Sequence, residues 1–158
     1  MVKEKFNQAH SAAWYLIVAG LKVAEADGPI SDREVATLQE IMQGASKRSE
    51  SAIVRQIAHL ATDVDSIQGK RSEDKRSLIR MTADLSDYLE KLPAPDRMRY
   101  LGLLIVTVKE VATSTGGGWF RKRSLNDNEI HAATGLISAI AGGVDPNIVI
   151  DWVEANGY

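Results

Sequence analysis

Apolar positions recur along this chain with a helical period, and no stretch alternates like a half-buried strand. From Trp14 to Ala24 nearly every residue is apolar, Lys22 excepted. A helix apolar on all faces belongs at the centre of a domain, so the pattern predicts a central first helix from about Asn7 to Ala26. After Asp27-Gly28-Pro29-Ile30 comes Ser31, followed three residues later by Glu34. That is capping-box spacing: the hydroxyl accepts from the Glu34 amide and the carboxylate reaches back. A second helix is predicted from Asp32, burying Val35, Leu38, Ile41, Met42 and Ala45.

Ile53, Val54, Ile57, Leu60 and Ala61 form the stripe of a third helix from about Glu50. Leu78, Met81, Leu85, Tyr88, Leu89 and Leu92 mark a longer one from about Ser72, and the stretch Asp63 to Arg71 between them reads as a polar loop. Pro93-Ala94-Pro95-Asp96 stops that helix and starts the next, since proline ends a helix but suits its first turn. The next helix runs to about Thr113 and is again centrally apolar, from Leu101 to Val108. A further helix from Asn126 buries Ile130, Ala133, Leu136, Ile137 and Ile140. Gly142-Gly143 ends it, and Asp145-Pro146 caps a last helix whose Ile148, Val149 and Trp152 are predicted to face inward.

The same design occurs twice. Tyr15 onward corresponds to Leu103 onward, a shift of 88 positions, and Ile30 onward to Leu125 onward, a shift of 95. The second copy thus carries seven extra residues, and its Asn126 and Glu129 repeat the cap. The predicted fold class is all-α: about seven helices in one domain over 1–158, with two pseudo-symmetric helical hairpins, about 14–45 and 98–141, around a central helix pair.

Composition narrows the functional classes. The 158 residues include no cysteine, which excludes disulfides, thiolate metal sites and thiol redox chemistry. A net charge of −2 gives no overall attraction to nucleic acid. The opening residues lack the apolar run of a signal peptide, and no apolar stretch approaches the roughly 20 residues of a membrane span. A cytoplasmic protein is expected.

The string Val23-Ala-Glu-Ala-Asp27-Gly28-Pro-Ile-Ser31-Asp-Arg-Glu34-Val, set between an apolar and an amphipathic helix, resembles the TerB-like tellurite-resistance family. The resemblance extends through both repeats and covers the segment from Glu50 to Leu92 only in its helicity. It implies an all-helical, non-enzymatic stress-response module whose Ala-Asp-Gly turns and following carboxylates are associated with metal binding. The second copy departs from the pattern, with Thr115 where Asp is expected.

Asp27 and Glu34, with Asp127 and Glu129 brought near by the pseudo-symmetry, are the candidate metal ligands. Ca²⁺ or Mg²⁺ takes six or more oxygens and Zn²⁺ takes four ligands, which four carboxylates and turn carbonyls supply. A second reading needs no metal. Ser31 with Glu34 and Asn126 with Glu129 act as helix caps, and Asp32 and Asp127 meet the positive ends of helix dipoles.

The seven-residue insertion carries another candidate. Gly116-Gly117-Gly118 leads into Trp119, Phe120, Arg121, Lys122 and Arg123, two aromatics beside three cations. That cluster suits an anionic membrane surface or an acidic protein partner. Alternatively the aromatics tuck over the core while the cations are solvated. His10, His59 and His131 fall at no metalloprotease spacing, and no Ser nucleophile has an arranged base, so no enzyme is expected.

Overall fold

The computed structural model describes residues 8–25 and 32–113, with positions 135, 138, 148, 149, 151, 152 and 155. Six helices fill the two long stretches: α1 (Gln8–Glu25), α2 (Asp32–Arg48), α3 (Ala52–Ala61), α4 (Val64–Glu73), α5 (Leu78–Lys91) and α6 (Ala94–Thr113). Among the described residues there is no strand, and no helix is long and apolar enough to cross a membrane.

Helix α1 is the hub. It packs against each of the other five helices, most extensively against α6. Ala12, Ala13, Leu16, Ile17 and Ala19 are wholly buried, as an all-round apolar sequence requires. Leu101, Leu103, Leu104 and Val108 of α6 meet the same core. Each such side chain contributes about 1.5–3 kcal/mol on leaving water. Where the two central helices cross, the buried Tyr100 hydroxyl donates to the Ala12 carbonyl at 2.8 Å.

The amphipathic stripes behave as their spacing predicts. Leu38 and Met42 of α2, Val54, Ile57 and Ala61 of α3, and Met81, Leu85 and Leu89 of α5 are buried. Two residues depart from their stripes. Leu78, at the first position of α5, is half exposed, because only the later turns of that helix reach the core. Ile148 is 59% exposed, whereas Val149 is buried and Trp152 packs against the core, so the terminal helical residues turn a different edge inward.

The polar stretch after Asp63 is a helix rather than a loop. It buries only Ile67, so it offers no apolar period to read. What starts it is a cap: the Asp63 carboxylate accepts from the Ser66 amide at 3.1 Å. Helix α5 begins later than Ser72, at Leu78, because Ser77 is its cap and accepts from the Arg80 amide. Ser51 does the same for α3 through Val54.

Candidate functional site

Of the four candidate metal ligands, Glu34 is described, while Asp27, Asp127 and Glu129 lie outside the described residues. Glu34 sits in the first turn of α2 and is only 2% exposed, unlike its exposed neighbours Asp32 and Arg33. The turn on which it sits is therefore pressed against the molecule's interior. Among the described residues no group of three histidines or carboxylates gathers as a cation site. Trp119, Phe120, Arg121, Lys122 and Arg123 also lie outside the described residues, as do Ser31, Thr115, Asn126 and His131. Gly135 and Ser138, on the helix predicted from Asn126, are helical and exposed, away from its predicted stripe.

The histidines divide by environment. His59 is exposed on α3. His10 is buried at the start of α1, and its Nε2 lies 3.3 Å from the Lys70 ammonium of α4, which donates to it. The next residue of α4, Arg71, lays its guanidinium over the Trp14 ring, 5.4 Å from the centroid. Its buried Nε has no hydrogen-bond partner, and the cation is held instead by its contact with the ring and by the Asp74 carbonyl, which accepts from Nη1 at 3.3 Å.

A polar brace continues from there. Arg76, between α4 and α5, bonds the Asp74 carboxylate through Nε and Nη2, at 3.1 and 3.0 Å. Its Nη1 donates to Asp84 of α5 at 2.8 Å, and Nη2 to the buried Ser11 hydroxyl of α1 at 3.3 Å. One guanidinium thus ties a connecting segment to two helices. Burial pushes the Asp74 carboxyl up, but the Arg76 hydrogen bonds, with the charges of Arg76 and Arg71, outweigh it and hold the group below the ordinary carboxylate value. Tyr15 joins the same wall through Thr82. Thr82 spends its proton on the Leu78 carbonyl, so Tyr15 is the donor to it. Burial raises the Tyr15 phenol, and raises that of the fully buried Tyr100 well above the ordinary value.

Away from this brace, α2 and α6 leave a groove of about 460 Å³. Ile41, Ala45, Leu103 and Val106 form its floor, with Arg48 and Ser49 at the C-terminal end of α2. Gly44 makes the hollow. A Cβ built there would meet only the Arg48 guanidinium, at 3.7 Å, so the absence of a side chain leaves space. Glu40 and Glu50 stand on the rim, and the Glu50 carboxylate pairs with Arg99 at 3.4 Å. Arg99 in turn lies over the Trp152 ring, 5.1 Å from its centroid, fastening the terminal helical residues to α6. Sequence reasoning missed this groove. The available signal was small residues, Gly44 and Ala45, inside an otherwise regular amphipathic helix.

No family model, no curated protein and no solved structure matches the chain.

Proposed function

We propose that this chain is a non-enzymatic, TerB-like helical module. It holds a divalent cation, Ca²⁺, Mg²⁺ or Zn²⁺, where the acidic turns of its two hairpins meet, and passes a stress or oxyanion signal to protein partners. Asp27 and Glu34 come from the first hairpin, and Asp127 and Glu129 from the second. The observation that carries this reading is the burial of Glu34. Its burial turns this acid of the first turn of α2 inward, on the side from which a second hairpin would contribute acids of its own. Carboxylate and carbonyl oxygens are the donors a hard cation prefers.

The contact between Tyr100 and Ala12 supports the shared arrangement. These residues are separated by 88 positions, the same offset as the sequence repeat. In two segments related by an approximate two-fold, equivalent positions touch only beside the axis. The decisive experiment is calorimetric titration of the protein with each of the three metals up to millimolar concentration. Saturable binding to the parent, weakened at least about tenfold by Glu34→Gln, is expected. Absence of binding for all three metals contradicts the reading.

A further inference from the structure

We infer that the groove between α2 and α6 binds a small aliphatic monocarboxylate, head group on Arg48 and Ser49, chain along Ile41, Ala45, Leu103 and Val106. The volume of about 460 Å³ falls within the range of pockets that enclose small molecules. Such pockets combine an apolar lining with a few polar groups whose bonding capacity is unspent. This groove has two of these at one end.

The first is Ser49, only 3% exposed. Its amide donates to the Ala45 carbonyl at 3.1 Å, its carbonyl accepts from Arg55 at 2.6 Å, and its Oγ accepts from the Ser51 amide at 3.2 Å. The hydroxyl proton alone has no acceptor among the described residues. A buried donor left unspent is costly, and an oxygen ligand relieves that cost.

The second is Arg48. Its guanidinium folds back over Gly44, within van der Waals range of where a Cβ would stand, and so lies along the groove. It forms no ion pair among the described residues, although two carboxylates share the rim. Glu50 is already paired with Arg99. Glu40 precedes Gly44 by one helical turn and makes no ion pair with Arg48. The Arg48 charge thus stands over the hollow beside the apolar side chains of Ile41, Ala45, Leu103 and Val106, a combination that suits an anion with an aliphatic chain. Carbonyls at the C-terminus of α2 repel an anion, so the Arg48 charge must outweigh them and binding must depend on it.

Octanoate is the probe, titrated by calorimetry and by amide chemical shifts. The parent is expected to bind it saturably, with shifts centred on residues 41–49 and 103–106, and to bind octylammonium far more weakly. Arg48→Gln keeps the first part of the stem and removes the charge, and should weaken octanoate about tenfold or more. Gly44→Leu fills the hollow from a helical position and should abolish binding with the helical spectrum retained. Ser49→Ala should give a smaller loss than Arg48→Gln. Three results overturn the inference: no saturable binding by the parent, octylammonium binding as tightly as octanoate, or unchanged affinity in Arg48→Gln. The last is decisive even if Gly44→Leu fails to fold, because Arg48 is exposed and its replacement spares the core.

Discussion

Around Arg76 the charged heads of Asp74, Arg76, Arg80 and Asp84 all meet partners, whereas along the α2–α6 groove the Arg48 head meets none among the described residues. Both regions lie against the same central pair and use the same residue types. One spends its hydrogen bonds internally and holds α4 and α5 to α1. The other keeps a cation and a hydroxyl proton in reserve beside an apolar hollow. Satisfied polar groups fix a structure, and unspent ones await a partner from outside.

The largest effect that separates the two regions is expected from Arg76→Ala. It strips two carboxylates and a buried serine of their shared donor and should cost about 1.5–3 kcal/mol in urea unfolding. The parent should also show an acid limb here. Asp74 titrates below its unfolded value, so its stabilisation is whole above about pH 4 and fades as the pH falls through the folded value. Arg76→Ala should flatten that limb. A change within 0.5 kcal/mol, no larger than an ordinary surface replacement, would break the comparison.

Tyr100→Phe removes the hydroxyl that joins α6 to α1 and should cost about 1 kcal/mol at neutral pH. Its phenol ionises in the fold only at higher pH than in the unfolded chain. Its contribution is therefore complete below about pH 10 and declines as the pH rises toward the folded value. The Phe variant should lose that part of the alkaline decline, as followed by thermal melts across the range.

On the groove side the expected signs differ. Gly44→Ala meets only the flexible Arg48 head at ordinary contact distance and should raise stability by about 0.5–1 kcal/mol. Arg48→Ala should change stability least, within about 0.5 kcal/mol, since no internal bond is lost. Destabilisation near that of Arg76→Ala would make Arg48 part of the scaffold and remove the contrast.

What the sequence could convey follows the strength of each local signal. Helix α1 was legible as a central helix, because an unbroken apolar run has one stable location, and the described residues 8–25 are helical; its predicted ends at Asn7 and Ala26 lie outside the described residues. Helix α2 was legible from its stripe, of which Leu38 and Met42 are buried; the Ser31 cap lies outside the described residues. Helix α4 was not, since Ile67 is its only buried side chain and its support comes from a cap and from Trp14, far away in sequence. The Asp63 and Ser66 spacing was the available clue. For the candidate sites, the acid at position 34 stood out by position, but its burial depends on tertiary packing. The groove was illegible for the same reason: it exists only where α2 and α6 come together, and neither helix alone encodes a hollow.

The central claim is that acids from both hairpins share one cation. Calorimetry on Glu34→Gln, Asp127→Asn and the double variant, using whichever of Ca²⁺, Mg²⁺ and Zn²⁺ the parent binds most tightly, tests it most directly. A shared site predicts that each single change weakens binding about tenfold or more and that the double loses less than the sum of the two. Full affinity in Asp127→Asn would contradict it, because position 34 would then act without the second hairpin.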